Sequence, residues 1–330
     1  MSEREYQVYG VGNGIMDVLV SVSDQEFEQL GFERGSYGML EVDEQLRLLD
    51  QFSSHEPSLV SGGSAANTMV ALAQLGGRGA YTCCLGDDHY GHIYRNQFTS
   101  LGLTLDTPIQ ADGATGTCLS IITPDAERTM RTSLGVSQAL APEHIEEEKI
   151  KNAEWVFLEG YPLANPGTGP DAINTAVEMA KSHGTKIAIT VSASFVIEHH
   201  RELVESVVAN SDIFFANEEE ARCLTGHDST QSSFEYLTEQ VPHVVVTKGA
   251  EGVLLQVNGE RAELSAFECT PVDLTGAGDL LCGAFLYGLA NGYSAADSAR
   301  ASCYLASKVI VQVGARLHEG VVEAWQEAIT

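Results

Sequence analysis

The alternation of short apolar segments with helical patterns from residue 153 onward constrains the fold of this chain more than any other feature. The predicted strands are 155–158, 186–191, 213–216 and 243–247, the predicted helices are 171–182, 197–208 and 218–224, and a hairpin of 252–257 with 261–267 follows. Such an alternation is typical of a mostly parallel sheet with helices on both faces. The sequence therefore predicts an α/β fold with a doubly wound sheet, whose ligands bind beyond the carboxyl ends of the strands. Five polar residues fall at or just after predicted strand ends: Asp17, Glu159, Asn217, Thr247 and Asp279.

The first half of the chain interrupts this alternation. Helices are predicted at 23–30 and 43–52, a strand at 35–42, and a hairpin of 117–123 with 128–134. We interpret these pieces as a small β-sheet lid over the α/β core. The chain has 330 residues, 44% of them hydrophobic, which suits one large domain with an appendage or two domains.

The strong negative charge of the chain disfavours two classes of partner. There are 18 Lys and Arg against 46 Asp and Glu, a formal net charge of -28. Nucleic acid needs a basic face, and an anionic membrane is disfavoured for the same reason. We therefore expect a small-molecule ligand. If that ligand is a polyphosphate, backbone amides, a divalent metal and a few basic side chains must meet its charge locally.

The cysteines and the N-terminal sequence indicate a reducing, cytoplasmic setting. The seven cysteines are an odd number without a metal-type CxxC pair, and Cys83 and Cys84 are neighbours on a predicted strand, where they point to opposite faces. The first residues lack the basic and apolar regions of a secretion signal. No apolar run approaches the roughly 20 residues needed to cross a bilayer.

Residues 272–292 combine a glycine-rich turn with a helix. Gly276 and Gly278 are predicted to take positive φ, so that the N–H groups of Gly276, Ala277 and Gly278 form a concave anion site at a helix N-terminus. Asp279 stands at the mouth of that site, where a carboxylate would repel an anion. It suits a base that takes a proton from a hydroxyl while the turn holds a moving phosphoryl group. The alternative is that Asp279 only caps the helix.

Two other segments offer groups that suit hydroxyls. Residues 10–17 come close to a dinucleotide fingerprint but lack its third glycine and run on into a strand, whereas Asn13 and Asp17 suit vicinal hydroxyls. At 62–67, Gly62 and Gly63 allow close approach of a ligand, and Asn67 lies one helical turn further on. The alternatives are an exposed turn acid at Asp17 and a tight helix-packing segment with a solvent-facing Asn67.

Several acidic residues have spacings that suit the binding of a cation. Asn217 and Glu220 lie one helical turn apart and suit water-mediated Mg²⁺ beside a phosphate, although an ordinary acidic helix start has the same spacing. Asp273 begins the glycine turn, where it would bind a cation or hold the loop. The acids and histidines of 87–92 lack a third separate metal ligand, so we interpret them as a helix cap.

The predicted lid strand carries two large side chains on one face. Tyr37 and Met39 are two residues apart, and Tyr161 follows another predicted strand end. An aromatic ring and a thioether form a flat apolar slot, which suits a purine better than a hydroxyl-rich hexose. The alternative is that Tyr37 and Met39 only pack the lid.

The glycine motifs together resemble a known family. GGSAAN at 62–67 and DLTGAGD at 273–279 resemble the ribokinase-like, or PfkB, carbohydrate kinases, and NEEE at 217–220, TKGAEG at 247–252 and GAR at 314–316 extend the resemblance over nearly the whole chain. Within the family, GN at 12–13 with Asp17, TPDAERTM at 123–130 and LEGY at 158–161 are similar to the bacterial adenosine-kinase-like branch.

The resemblance implies a single domain over residues 1–330, with a lid built from about 17–60 and 101–136. It also implies ATP and Mg²⁺ as cofactors and a role for each matching residue. Asp279 is implied as the base and 276–278 as the anion hole, with Asn217 and Glu220 serving Mg²⁺ and phosphate. The implied acceptor site comprises Asn13, Asp17, Gly62, Gly63, Asn67 and Glu159. The implied ATP-binding residues are Thr247, Gly249, Gly252 and the lid residue Arg128. Asp273 and Thr275 match positions that bind a monovalent cation such as K⁺ in some members.

Two departures from the family pattern leave the residues of the chemistry intact. Ser192-Ala193 stands where relatives often have Ser-Asp, and Leu274 replaces a hydroxyl residue. We expect transfer of the ATP γ-phosphoryl group to a primary hydroxyl, foremost the 5′-hydroxyl of adenosine, with a ribokinase- or fructokinase-type sugar kinase as the alternative. A non-catalytic binding protein on the same fold and a nicotinamide oxidoreductase are the hypotheses from other classes. The sequence leaves a monomer and a homodimer equally open.

Overall fold

The fold is seen in a computed structural model, which describes residues 4–105, 109–125 and 127–330. The strands are β1 (Tyr6–Val11), β2 (Ile15–Ser21), β3 (Tyr37–Met39), β4 (Ser58–Gly62), β5 (Gly79–Thr82), β6 (Leu85–Gly86), β7 (Thr104–Leu105), β8 (Ile109–Gln110), β9 (Gly116–Ile122), β10 (Arg128–Ser133), β11 (Ala153–Glu159), β12 (Lys186–Thr190), β13 (Ile213–Asn217), β14 (His243–Thr247), β15 (Val253–Val257) and β16 (Glu260–Leu264). The helices are α1 (Asp24–Leu30), α2 (Val42–Gln51), α3 (Ser64–Gln74), α4 (His89–Ser100), α5 (Glu147–Lys151), α6 (Tyr161–Ala164), α7 (Gly169–His183), α8 (Ser194–Ala209), α9 (Glu218–Thr225), α10 (Thr230–Gln240), α11 (Ala277–Ala290), α12 (Ala295–Val309) and α13 (Val321–Ile329).

The larger sheet confirms the predicted parallel α/β core. Its order is β16-β15-β14-β13-β12-β11-β1-β5-β7, and every neighbouring pair from β14 to β7 is parallel. The predicted hairpin after residue 247 is present as β15 and β16, which pair antiparallel. Consecutive residues of one strand pack into apolar clusters on opposite faces of the sheet, for example Phe215 on one face and Phe214 on the other. The sheet is therefore covered on both faces, as its continuous apolar strands require.

A second sheet of five strands forms the lid, in the order β3-β10-β9-β2-β4. The predicted hairpin is present as the antiparallel pair of β9 and β10. The predicted strand 35–42 is shorter than expected, because Gly35 has φ +74° and α2 already begins at Val42.

The predicted start of the second lid segment, residue 101, is wrong. Thr104–Leu105 pairs with β5 at the edge of the large sheet, and Ile109–Gln110 pairs with β6. Leu103 and Leu105 are buried in the core cluster on one face of the large sheet, which holds this stretch against the α/β core. The second lid segment begins at Gly116 instead. Residues 106–108 of the predicted segment, and Ala126 of the hairpin turn, lie outside the described residues.

Close packing of α3 against α11 brings two distant sequence motifs together. A Cβ atom added at Gly283 would lie 2.2 Å from the carbonyl oxygen of Thr68 and 2.9 Å from the Cβ of Ala71. Glycine at position 283 therefore permits an approach that any side chain would block. As a consequence, the first turn of α3 lies beside the first turn of α11, which carries Asp279.

All seven cysteines are free thiols. Among the described residues, no helix combines the length and the apolar character needed to span a membrane.

Candidate active site

Polar residues end three strands of the large sheet, as predicted. Glu159, Asn217 and Thr247 are the last residues of β11, β13 and β14, so they lie along the carboxyl edge. Asp279 was also expected at a strand end but is the third residue of α11, after a long connection from β16. Asp17 was expected at a strand end too, but it is the third residue of the lid strand β2. It reaches the same cleft because β2 follows β1 after a short connection and crosses into the lid sheet.

The turn before α11 differs in one respect from the prediction. Gly276 is the N-cap residue with φ +77°, and a Cβ there would lie 2.5 Å from the Cβ of Ala315. Gly278 does not take positive φ, because it already belongs to the first turn of α11. Its contribution is an absent side chain: a Cβ added at Gly278 would meet no atom within 4 Å. The first helical N–H groups, which have no partner inside the helix, are thus open to an approaching anion.

Asp279 does not cap the helix, so the alternative interpretation of this acid is wrong. The N-cap is Gly276, and the Asp279 carboxylate instead accepts hydrogen bonds from Ser64 Oγ at 2.6 Å and Asn67 Nδ2 at 3.0 Å. Desolvation by the surrounding protein raises the pKa of Asp279, while the hydrogen bonds from Ser64 and Asn67 and the charge of Arg316 oppose that rise. Part of the carboxylate still faces a cavity.

Glu159 and Asn13 form the base of the cleft. Glu159 is fully buried, and its two oxygens accept hydrogen bonds from the backbone N–H groups of Asn13 at 2.7 Å and Ala65 at 2.5 Å. Burial raises the pKa of Glu159 to about 7. The Asn13 side chain accepts a hydrogen bond from Asn165 Nδ2 at 2.8 Å. Glu159 therefore ties the β1–β2 connection to the start of α3.

The two glycines before α3 are needed for the backbone to pass close to polar groups. A Cβ at Gly62 would lie 2.3 Å from Asp17 Oδ2, and one at Gly63, where φ is +105°, would lie 2.3 Å from the carbonyl oxygen of Asn13. Desolvation raises the pKa of Asp17 to about 7, against the opposing charges of Arg316 and Arg128. Gly62 and Gly63 thus shape the wall of the cleft next to Asp17.

A cavity of about 980 Å³ opens between the lid and the core. Its polar end is lined by Asn13, Asp17, Asn67, Glu159 and Asp279, together with Gly63 and Ser64. Its apolar end includes Tyr37 and Met39, which are 59% and 52% exposed, as well as Tyr161 and Phe195. Tyr37 Oη donates a hydrogen bond to Met39 Sδ at 2.9 Å. The structure thus brings the predicted acceptor residues and the predicted lid pair to one cavity.

Two further cavities lie on the other side of Asp279. One of about 220 Å³ is lined by Asn217, Glu220, Thr247, Gly276, Gly278 and Asp279. The other, of about 880 Å³, is lined by Thr247, Gly249, Gly252 and Gly278 with an apolar wall that includes Phe267. Because the smaller cavity shares Asp279 with the cavity under the lid and Thr247 with the larger one, the three form a sequence of neighbouring spaces.

Asn217 and Glu220 form a reciprocal helix cap. Asn217 Oδ1 accepts the Glu220 N–H at 2.8 Å, and Glu220 Oε2 accepts the Asn217 N–H at 3.0 Å. Burial raises the pKa of Glu220 to about 7. Within the described residues, no group of three or more His, Cys, Asp and Glu side chains could enclose a metal ion. The Glu220 carboxylate, beside a cavity that Gly276, Gly278 and Asp279 also line, still suits Mg²⁺, which prefers oxygen ligands and keeps several waters beside phosphates.

Asp273 holds the loop, which is one of the two roles expected for it. Its Oδ1 accepts hydrogen bonds from Thr275 N and Oγ1 at 3.1 and 2.7 Å, and its Oδ2 accepts the Gly314 N–H at 2.7 Å. Arg128 Nη1 lies 2.9 Å from the same Oδ2. The lid arginine predicted to face phosphate therefore rests on the carboxylate that begins the glycine turn.

Three residues of the site carried no individual role in the sequence interpretation. Ser64 and Asn165 contact Asp279 and Asn13, as described above. Arg316 donates from Nε to Asn67 Oδ1 at 3.1 Å, from Nη1 to Ser61 Oγ at 3.0 Å, and from Nη2 to the Ser61 carbonyl oxygen. The GAR motif at 314–316 pointed to this segment, but its partners are 249 and 255 residues away in sequence.

A parallel sheet with a cleft at its carboxyl edge, covered by a smaller sheet, is the architecture of ribokinase-like proteins. The chain belongs to the pfkB family of carbohydrate kinases, whose family model matches residues 43–319. This confirms the resemblance drawn from the motifs. The protein is therefore a phosphotransferase with an alcohol group as acceptor, and the family implies ATP as a cofactor, typically with Mg²⁺.

Individual relatives match over nearly the full length. The crystal structure of adenosine kinase from Sinorhizobium meliloti is 31% identical, with a TM-score of 0.87 and coverage of 98% of this chain and 99% of that one. A probable sugar kinase from Rhizobium etli CFN 42 is 29% identical, with a TM-score of 0.88 and the same coverage. Adenosine kinase of Dictyostelium discoideum is 27% identical over 325 residues, which cover 92% of this chain and 94% of the relative.

Proposed function

We propose that this protein phosphorylates the 5′-hydroxyl of adenosine or of a close purine nucleoside, and that residues 1–330 act as one domain with its lid. The observation that carries the proposal is the position of Asp279 on the wall shared by two cavities. One cavity holds groups suited to hydroxyls and an apolar end, and the other is lined by the glycine turn. A hydroxyl in the first cavity and a phosphate in the second would meet at Asp279.

The chemistry at Asp279 follows from its contacts. The proton of the acceptor hydroxyl moves to a carboxylate oxygen of Asp279, whose present donors are Ser64 and Asn67. The N–H groups of Gly276 and Gly278 would face the developing charge, as would that of Ala277 once it leaves the Leu274 carbonyl oxygen, to which it now donates at 3.4 Å. The dipole of α11 would add to their effect. General-base assistance and oriented amides together suit phosphoryl transfer, in which most of the catalysis is positioning and charge stabilisation.

Asp17 supports a diol-bearing acceptor. Within the described residues, no group donates a hydrogen bond to its carboxylate, although it lines the cavity under the lid. A ribose 2′,3′-diol supplies two O–H donors to such a carboxylate. Asn13 and Asn67 line the same end of the cavity, and the absent side chain of Gly62 lets the Asp17 carboxylate lie close against the backbone there.

The donor side supports ATP. ATP supplies the phosphoryl group, and Mg²⁺ neutralises charge on its phosphates. Asn217 and Glu220 would hold the hydrated metal beside the glycine turn, while Thr247, Gly249 and Gly252 would line the nucleotide. Arg128 lines none of these three cavities, so it would have to leave Asp273 to meet the phosphates. We leave a monovalent cation at Asp273 and Thr275 out of the proposal, because Arg128 already pairs with that carboxylate.

A sugar kinase is the second candidate, because the probable sugar kinase from Rhizobium etli is as similar in structure as the adenosine kinase from Sinorhizobium meliloti. ADP formation should be measured with adenosine, inosine, a pyrimidine nucleoside, ribose and fructose as acceptors. We expect kcat/KM for adenosine to exceed that for ribose by about 10–100-fold, since burying a base-sized apolar surface contributes roughly 1.5–3 kcal/mol. Efficient use of ribose or fructose without any use of nucleosides would favour the sugar kinase.

Replacing both Tyr37 and Met39 by Ala should weaken nucleoside use about tenfold or more in kcat/KM, and weaken ribose use less. These side chains line the apolar end of the cavity, so only an acceptor with a base loses contacts. Leu46→Ala is the matched control, because Leu46 is 44% exposed on the lid helix α2 and does not line the cavity. Equal losses for nucleoside and ribose would mean that Tyr37 and Met39 only pack the lid.

Amide hydrogen exchange in 17–42 and 116–134 should slow when saturating acceptor binds. The lid must exclude water from the phosphoryl group, and lid strands of this kind open locally when no ligand holds them. The core strand β12, Lys186–Thr190, serves as the internal reference whose exchange should not change. Unchanged exchange in both lid segments would argue against a lid that closes on the acceptor.

A further inference from the structure

Arg316 lies between α12 and α13, yet its guanidinium group contacts the start of α3. It donates through three nitrogens: Nε to Asn67 Oδ1, Nη1 to Ser61 Oγ and Nη2 to the Ser61 carbonyl oxygen. The planar fork of a guanidinium fixes such a set of acceptors in one arrangement, which a single ammonium group does not. Arg316 therefore joins the C-terminal segment to the end of β4 and the first turn of α3.

The contact with Arg316 also decides which way the Asn67 amide faces. Asn67 Oδ1 accepts from Arg316 at 3.1 Å, so Asn67 Nδ2 is turned toward Asp279 Oδ2, at 3.0 Å. With the amide reversed, an NH₂ group would face the guanidinium donors and a carbonyl oxygen would face the carboxylate. Both contacts would then be repulsive. Arg316 thereby acts on Asp279 through one intervening side chain.

Arg316 also lies in a strongly acidic neighbourhood. The ionisable groups whose charges act on Asp279, or on which Asp279 acts, come from β2, β11, α6, α9, α11 and the C-terminal segment: Asp17, Glu159, Tyr161, Glu220, Cys282 and Arg316. Arg316 is the cation in this set and lowers the pKa of both Asp17 and Asp279. Arg128 adds a second cation beside Asp17. Loss of Arg316 would remove a positive charge that offsets the mutual repulsion of these carboxylates.

We propose that Arg316 is a positioning residue, which locks the Asn67 amide so that Asp279 stays oriented and ionised toward the acceptor hydroxyl. The proposal rests on the proposed function, because it assumes that Asp279 is the base. It concerns the geometry and charge of Asp279 rather than the identity of the acceptor. It therefore applies to any alcohol that the enzyme phosphorylates.

The test is the pH dependence of kcat in Arg316→Met, measured with the best acceptor of the wild-type enzyme. We expect kcat at pH 7 to fall by about 10–100-fold, KM for ATP to stay within a few-fold, and the acidic limb to move to higher pH by about one unit. Arg316 lowers the pKa of Asp279, so removing this cation lets that pKa rise. As the pH falls, the Asp279 carboxylate is then protonated at a higher pH than in the wild type. An unmoved limb would overturn the proposal.

Gln74→Met is the matched control. Gln74 Nε2 donates to the Leu317 carbonyl oxygen at 2.6 Å, so it joins α3 to the same C-terminal segment without touching a carboxylate. If Arg316 served only to dock that segment, Gln74→Met would change kcat in the same way. We expect its kcat to stay within twofold of the wild type and its acidic limb to stay in place. A limb shifted as far as in Arg316→Met would overturn the proposal.

Two further measurements cover the remaining outcomes. If Arg316→Met does not fold, Arg316→Lys should still lower kcat by about tenfold, since one ammonium cannot bridge Asn67 and Ser61 in the same geometry. Wild-type kcat in that variant would overturn the proposal.

If the wild-type enzyme turns over none of the alcohols tested, the proposed function fails on its own. The pKa of Asp279, read by ¹³C NMR of labelled Asp and assigned with Asp279→Asn, should still be higher in the Arg316 variant. An unchanged pKa would count against a role for Arg316.

Discussion

Asp279→Asn should lower turnover by about 10²-fold or more and leave the affinity for ATP within a few-fold of the wild type. Asn keeps the shape of the side chain but removes the proposed proton acceptor at the wall shared by the cavity under the lid and the cavity beside the glycine turn. The hydrogen bond from Ser64 Oγ can still be accepted by the amide oxygen. The loss should therefore fall on kcat rather than on ATP binding, as steady-state kinetics and a direct ATP titration would measure.

Asp297→Asn is the control for this substitution. Asp297 is the third residue of α12, as Asp279 is of α11, but it only accepts a hydrogen bond from the cap residue Ser294 on an exposed surface. We expect wild-type turnover from Asp297→Asn. Turnover of Asp279→Asn within a few-fold of the wild type would remove Asp279 from the role of base.

Gly276→Ala should lower kcat by about 10²-fold and also reduce thermal stability. At φ +77° an alanine is strained by roughly 1–2 kcal/mol, and its Cβ would lie 2.5 Å from the Cβ and the carbonyl oxygen of Ala315. The turn must shift to relieve these contacts, and a displacement of about 1 Å at a reacting site can cost 10²-fold in rate. Kinetics and thermal unfolding of the same preparation would separate the two effects.

Gly184→Ala controls for backbone strain alone. Gly184 ends α7 with φ +63°, and a Cβ there would meet no atom within 4 Å. We expect it to lose a similar amount of stability, about 1 kcal/mol, with unchanged kcat. Equal kcat losses in both variants, or none at Gly276, would show that the turn before α11 does not need its conformation for the reaction.

The features that could be predicted from sequence are those with a local pattern. Apolar strands and amphipathic helices can be recognised from the pattern of a few consecutive residues. The parallel core and the hairpin of β9 and β10 were therefore predicted correctly. Glu159, Asn217 and Thr247 could be assigned to the carboxyl edge because each lies at or just after the end of a predicted apolar strand. The two glycine motifs are local as well, which is why Asn67 and Asp279 could be named, although Ser64, the other side-chain donor to Asp279, was not.

What could not be predicted depends on contacts between distant segments. Arg316 and Asn67 are 249 residues apart, and no periodicity indicates that they meet. Thr104–Leu105 was assigned to the lid because its strand pattern does not say which sheet it joins, and its buried leucine draws it to the core. The positive φ expected at Gly278 fails because glycine permits that conformation without requiring it, and α11 has already begun there.

The most direct test of the central claim is to identify the product formed from adenosine and Mg-ATP by ³¹P NMR. The phosphorus of a 5′-monophosphate couples to the methylene protons on C5′ and gives a triplet, whereas a 2′- or 3′-phosphate gives a doublet. We predict a triplet that grows in equimolar amounts with ADP, and no such signal with Asp279→Asn over the same time. Absence of a phosphorylated nucleoside, with ribose or fructose converted efficiently under the same conditions, would contradict the assignment of a nucleoside kinase.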